Sequence, residues 1–251
     1  MRILVLSDAH GNRHGLEAAL KFGAACDEVL CLGDIVGYGA HPNECCELLR
    51  ERGAHCLSGN HDAAVFGEIS TEWFNDIAVT AVAWTRQKLT PDNLMWLESL
   101  PAQEDFPEWN CQAVHASLRS PWEEYILDEG IALPNFRLMT QPLLFFGHTH
   151  QAVCATIGID RAQWRSGVSV AWEPLPTGAD IELEEQELTM INPGSCGQPR
   201  DGVPHAKGAI YDVEAQTVEI FAVSYDVEAA RAAILEAHLP ARLGDRLLTG
   251  R

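Results

Sequence analysis

Hydrophobic positions in the first sixty residues fall into three short runs, 3–6, 29–32 and 54–57, each closed by a polar or glycine-rich turn. Between the first two, residues 14–25 place Leu16, Ala19, Leu20 and Phe22 at helical spacing. Between the second and third, residues 42–52 begin at Pro42 and turn Leu48 and Leu49 to one side. Short apolar runs bounded by turns predict strands, and apolar recurrence every three to four residues predicts helices. The resulting β-α-β-α-β order implies parallel strands joined by right-handed crossovers.

Helical spacing returns over 71–89, through Trp73, Phe74, Ile77, Val82 and Trp84, and a short helix is expected after Pro91. Strands are expected at 112–115 and 143–147. From residue 151 the pattern is mainly strand-like, at 152–157, 166–172, 187–191, 208–213 and 217–223, before helices over 226–237 and 240–248. Residues 172–186, with Pro174, Pro176, Gly178 and several glutamates, read as an exposed loop. Parallel units giving way to β-rich sequence predict an α/β fold, a four-layer α-β-β-α sandwich of two mixed sheets flanked by helices. No break in composition divides the chain, so residues 1–251 are expected to form a single domain.

Composition narrows the function. A 47% hydrophobic chain of 251 residues can bury a sizeable core, while 17 basic against 36 acidic residues leave a net charge of −19. That balance argues against stable nucleic-acid binding, which calls for a basic face. Bound divalent cations would offset part of it locally. The eight cysteines are scattered, several inside apolar runs, with no Cys-x-x-Cys pair, which favours reduced, buried thiols and a cytoplasmic location. The first residues lack the apolar core of a signal peptide, and no run approaches the ~20 apolar residues of a membrane span.

The chemistry collects where the predicted strands end. Asp8-Ala9-His10 follows the first, Gly33-Asp34 the second and Gly59-Asn60-His61-Asp62 the third; His115 closes another, and Gly147-His148-Thr149-His150 follows the next. Open α/β sheets place ligands at these C-terminal strand ends. Carboxylate oxygen combined with imidazole nitrogen suits manganese, iron, zinc or similar ions, and the absence of cysteine at these points argues against a structural zinc cage. Residues two apart on an extended segment point the same way, which would let Asp-x-His and His-x-His turn both side chains to one site. A lone buried histidine is usually a packing residue; five such fragments in succession point to a metal centre.

This ordered set resembles the calcineurin-like metallophosphoesterase family, with its blocks D-x-H, G-D, G-N-H-D or G-N-H-E, a single histidine and G-H-x-H. Two further stretches, Gly33 to Gly39 and Asn192-Pro193-Gly194-Ser195 continuing to Gly202, resemble a compact bacterial and archaeal branch. The resemblance implies two divalent ions (manganese, iron, zinc or nickel, manganese being the ion for assay). One would be held by Asp8, His10, Asp34 and His150, the other by Asp34, Asn60, His115 and His148. His61 matches the family's histidine that contacts the phosphate or leaving group. The implied activity is phosphoester hydrolysis by a metal-bound hydroxide on a small substrate, a nucleotide among the candidates, as phosphodiesterase or phosphomonoesterase. Dinucleoside polyphosphate hydrolysis, protein phosphatase activity and a non-enzymatic metal-binding scaffold are the alternatives.

The sequence departs from the family pattern at two points. Many members carry an acid shortly after Gly-Asp that orients the equivalent of His61, whereas Ile35-Val36-Gly37-Tyr38 offers none. This disfavours the protein phosphatases and leaves the partner of His61 open, with Asp62 adjacent in sequence. Ala116 also stands where relatives have glycine. Arg119 and Arg200 are candidate phosphate contacts because a guanidinium fork matches phosphate oxygens. Tyr38 is a candidate for the substrate groove, and Trp109 and Trp122 for a pocket floor. Asn12 and His41 read better as loop and helix-start residues, and Asn60 has an alternative role capping the following helix.

Overall fold

Strand β1 (Arg2–Leu6) shows how the layers arise from a period of two. Leu4 and Leu6 pack into one core cluster with Leu16, Ala19, Cys45 and Leu49, whereas Ile3 and Val5 join another with Cys111, Phe145, Ile191 and Tyr211. One face of the strand therefore meets helices and the other meets a second sheet. The computed structural model describes residues 1–160, 164 and 169–251.

One sheet has the order β3-β2-β1-β11-β12-β9 and the other β4-β5-β6-β10-β7-β8. In the first, β1, β2 (Glu28–Cys31) and β3 (His55–Cys56) run parallel, through α1 (Arg13–Phe22) and α2 (Pro42–Glu51). Beside β1, β11 (Ala206–Asp212), β12 (Thr217–Val223) and β9 (Asp180–Glu182) pair antiparallel. In the second sheet β5 (Cys111–Val114), β6 (Leu143–Phe146) and β10 (Glu187–Asn192) are parallel. Their flanks β4 (Gln103–Phe106), β7 (Val153–Gly158) and β8 (Ala171–Pro174) are antiparallel. Leu144 and Phe146 of β6 face α6 (Glu129–Phe136), and Leu143 and Phe145 face the other sheet. These are the four layers of an α-β-β-α sandwich with two mixed sheets.

Several boundaries differ from expectation. The helix expected over 71–89 is α4 (Asp76–Lys88), because the Asn75 side chain accepts the Ala78 N–H at 3.0 Å and starts the helix there. A short helix, α3 (Asn60–Phe66), follows β3 directly, and α5 (Pro91–Glu98) starts at its proline. The expected loop at 172–186 holds most of β8 and all of β9. Both are sheet-edge strands, where proline and glutamate are tolerated because one side has no ladder to complete. Of the strand expected at 166–172, residues 166–168 lie outside the described residues. The chain closes with α7 (Val227–Glu236), α8 (Ala241–Asp245) and a 3-10 turn over Arg246–Leu248. Among the described residues no helix is long and apolar enough to cross a membrane.

Candidate metal centre

The loops leaving β1 and β2 are stitched together beyond the strands. The N–H groups of Asp8, His10 and Gly11 donate to the carbonyls of Gly33, Asp34 and Ile35 at 2.8–3.0 Å. The segment after β10 clasps the same loop: Cys196 N–H donates to Ser7 O, Gly197 N–H to Asp8 O, and the Ser195 hydroxyl to Asp8 O. Asn192 Nδ2 donates to Gly147 O and the Thr149 hydroxyl, which fixes the loop after β6. Asn12 caps α1 and donates to Gly197 O at 2.8 Å, a loop-fixing role.

These loops bring two groups of donors together: Asp8, His10, Asp34 and His150, and Asp34, His115 and His148. In each, one ligand atom per residue lies within 4.8 Å of the others, every residue is buried, and Asp34 belongs to both. Asn60 Oδ1 lies 3.2 Å from His115 Nε2, beside the second group. Asn60 is not the helix cap; Gly59 is, with the Asp62 carboxylate accepting its N–H at 2.9 Å.

Hydrogen bonding shows which way the imidazole lone pairs face. His115 Nδ1 is 2.8 Å from Leu32 O, His150 Nδ1 2.5 Å from Gln198 O and His10 Nδ1 3.3 Å from Val36 O. A carbonyl only accepts, so each Nδ1 carries the proton and each neutral ring turns a bare Nε2 inward. Burial pushes all three rings, and those of His61 and His148, below the usual histidine pKa, which keeps them neutral. The Nε2 atoms of His10 and His150 then face each other at 3.1 Å. Asp8 Oδ1 lies 3.3 Å from His150 Nε2, and Asp34 Oδ2 is 3.4 and 3.5 Å from the Nε2 atoms of His10 and His115. Acceptors converging this closely repel one another unless a cation lies among them. Burial, together with the charges of Asp62 and Asp8, also raises the Asp34 pKa well above the usual carboxylate range. The donor set fits divalent ions with oxygen and nitrogen ligands.

His61 lies beside this cluster. Its ring centroid is 4.3 Å from Tyr38, 4.8 Å from His10 and 5.0 Å from Phe74, and its buried Nδ1 has no hydrogen-bond partner. Asp62 does not orient it. That carboxylate accepts the N–H groups of Ile35, Val36 and Gly59 at 3.1, 3.0 and 2.9 Å. A Cβ at Gly37 would stand 2.7 Å from His61 Nδ1, so residue 37 is the position from which a side chain could reach that nitrogen.

A cavity of about 390 Å³ opens from the cluster, walled by Tyr38, His61, Trp73, Phe74, Trp122 and Tyr125 and reaching Asn60 and His148. Trp122 Nε1 donates to Ser58 O at 3.1 Å, which fixes its ring. Trp109 is not part of it; it stacks on Phe106 at 4.5 Å in the core. Arg119 does not line the cavity either, since its exposed guanidinium is captured by Glu124, with Nε 3.0 Å from Oε2. Arg200 donates to Gln198 Oε1 at 3.2 Å, and its charge helps lower the pKa values of His61 and His10. His41 stands outside, its ring against His14. Sequence reasoning missed Tyr125, whose ring lies 3.8 Å from that of His148; an exposed tyrosine carries no pattern that marks it.

The family model for the calcineurin-like phosphoesterase superfamily domain matches residues 1–216. The chain belongs to that superfamily. An uncharacterized protein of Methanocaldococcus jannaschii is 36% identical over 99% of this chain and 98% of its own length. The crystal structure of a metallophosphoesterase from Sphaerobacter thermophilus is 39% identical, with a TM-score of 0.87 over 100% of this chain and 99% of that one. A hypothetical protein from Pyrococcus horikoshii OT3, 19% identical with a TM-score of 0.78 over 100% and 98% of the two chains, shares the fold. In this calcineurin-like phosphoesterase all seven candidate ligands fall inside the family match, whereas α7 and α8 lie beyond it.

Proposed function

We propose that this calcineurin-like phosphoesterase is a metal-dependent hydrolase of a small, nucleotide-sized phosphoester. One divalent ion would be held by Asp8, His10, Asp34 and His150, and a second by Asp34, Asn60, His115 and His148. The observation that carries the reading is the pair of donor groups sharing Asp34, with bare imidazole nitrogens facing inward. Divalent ions bound there supply charge that polarises the phosphoester and makes water acidic enough to attack near neutral pH. His61, neutral and at the cavity wall, donates a hydrogen bond or proton to the departing oxygen, an effect worth about 10²–10⁴-fold. The aromatic walls shield the substrate body from water, and Arg200 offers a guanidinium toward phosphate oxygens. Manganese, iron, zinc and nickel all suit these ligands. The eight free, buried cysteines support a reducing, cytoplasmic setting.

Manganese-loaded protein assayed on bis-p-nitrophenyl phosphate and on p-nitrophenyl phosphate separates diesterase from monoesterase action. His61→Ala is expected to keep its metal content while turnover falls at least about a hundredfold. Absence of hydrolysis of either ester by metal-loaded protein would overturn the reading, and unchanged turnover in the variant would remove His61 from it.

A further inference from the structure

On the far side of Tyr38 lies a second cavity, of about 740 Å³, lined by Arg242, Arg246 and Arg251. Tyr38 and Asn75 belong to both cavities, so the second adjoins the candidate metal centre. Leu243 and Leu247 pack into one cluster with Tyr38; Arg242 lies in α8 and Arg246 opens the 3-10 turn that follows it, and both line the same cavity.

The charge of this cavity runs against the composition of the chain, which has 17 basic and 36 acidic residues. Arg13, Arg119, Arg231 and Lys207 are each answered by a carboxylate. Among the described residues no side-chain carboxylate stands within ion-pair distance of Arg200, Arg242, Arg246 or Arg251. One unpaired surface arginine is ordinary; Arg200 and Arg242 both lie near enough to Arg246 to repel it. Burial and the charges of Arg200 and Arg242 hold the Arg246 guanidinium below its usual pKa, with Tyr38 opposing. Arg246 uses Nε on the terminal carboxylate of Arg251 at 2.7 Å, which leaves the terminal nitrogens of its fork for another acceptor. Two side-chain carboxylates also line the cavity. Asp245 is engaged by Arg231 at 2.8 Å, and Asp76 begins α4. The family match ends at residue 216, so Arg242 and Arg246 stand beyond it.

We propose that the substrate carries a second phosphate, which seats on Arg242 and Arg246 while the scissile phosphoester lies at the metal centre. Guanidinium forks match phosphate oxygens in pairs, so two arginines lining one cavity select a tetrahedral dianion over a neutral group. The scissile end rests on the hydrolase reading above; the second anion site can be measured by binding alone.

Isothermal titration of the manganese-loaded protein with alkane-α,ω-bisphosphonates of two to five methylenes, against propylphosphonate, needs no hydrolysis. The best bisphosphonate is expected to bind about tenfold tighter than propylphosphonate, a figure discounted because Arg242 is exposed. Arg242→Gln and the Arg242→Gln/Arg246→Gln double variant should remove this preference and leave propylphosphonate binding unchanged. Asp76→Asn should increase it about two- to threefold, which keeps the test decisive if the double variant fails to fold. The proposal is overturned if no bisphosphonate exceeds propylphosphonate, or if the preference survives loss of both arginines. It is also overturned if orthophosphate alone saturates the arginines while bisphosphonates gain nothing, which would mark a free-anion site. Arginine-dependent bisphosphonate binding without any propylphosphonate binding would sink the metal-centre reading and leave the anion site standing.

Discussion

Replacing Asp62 by asparagine tests how the bridging carboxylate is positioned. Asp62 is fully buried, and its Oδ2 accepts the N–H groups of Gly59 and Ile35 while Oδ1 accepts that of Val36. It thereby ties the loop that carries Asp34 to the start of the helix that carries Asn60. The His61 amide, on the same helix turn, donates to Asp34 Oδ1 at 2.8 Å. Asparagine can keep its oxygen toward Gly59 and Ile35, but its amide nitrogen then faces the Val36 N–H, donor against donor. One buried N–H left unmade costs about 1–3 kcal/mol, and the two remaining bonds lose their charge assistance. For a chain of 251 residues this corresponds to a fall in melting temperature of about 3–10 °C. Alanine would strand all three donors, about 3–9 kcal/mol by the same count, enough to threaten folding.

The metal consequence is separate and more telling. A residue that only fixes ligands typically changes metal affinity by about 10–100-fold when altered. Asp62→Asn is therefore expected to bind manganese about 10–100-fold more weakly by calorimetric titration, with both ions affected because Asp34 serves both groups. A variant that melts within a degree of the parent and binds manganese equally well would refute the reasoning. A loss of turnover with intact metal binding would instead revive Asp62 as the partner of His61.

Gly37→Ala should lower turnover by about a hundredfold, because φ at this residue is +133° and the new Cβ would press on His61 Nδ1 and His10 Nδ1 at 2.7 and 3.0 Å. Steady-state kinetics with metal analysis would check it, and near-normal turnover would contradict it. The cysteines should be inert in the native protein: all eight are buried and free, and burial pushes the Cys154 thiol up to about 12. Reaction with a chromogenic disulfide at pH 8 should be negligible until guanidinium exposes eight thiols; rapid native labelling would place at least one at the surface.

The candidate site was more legible in the sequence than the edges of the fold. Apolar runs ending in Asp8, Asp34, His115 and His148 announce themselves because buried strands and polar strand ends alternate so sharply. The edge strands β8 and β9 do not, since a strand with one open side needs neither apolar alternation nor freedom from proline. A helix after Asn60 is anticipated in the sequence but its start is not legible, because Gly59-Asn60 reads as a turn and only the return of Asp62 to the Gly59 N–H marks Gly59 as the cap. Arg119 and Arg200 are indistinguishable as letters. The first meets Glu124 five residues on, whereas the second is carried to the cluster by the loop that clasps Asp8. The partner of His61 stays open in the sequence, since Asp62 is its neighbour there while its carboxylate turns to the backbone of the Asp34 loop.

Asp8 with His10, and His148 with His150, converge through the turns that follow β1 and β6 and not through the strands themselves. The Asp-x-His and His-x-His pairs were expected to align because residues two apart on an extended chain share a face. Instead Asp8, His10, Asp34, His148 and His150 all adopt left-handed backbone, with φ between +49° and +66°. Such a conformation costs a residue with a Cβ about 1–2 kcal/mol, and five of them at one site are not a packing accident. The strain is held by hydrogen bonds of the protein itself, from Asp8 to Gly33, from His10 to Asp34, and from Cys196 and Gly197 back to Ser7 and Asp8. The backbone thus sets the ligand positions, and what a cation relieves is the repulsion among lone pairs already turned inward. Cation binding should accordingly need little loop rearrangement, because the folded chain has already aligned the ligands.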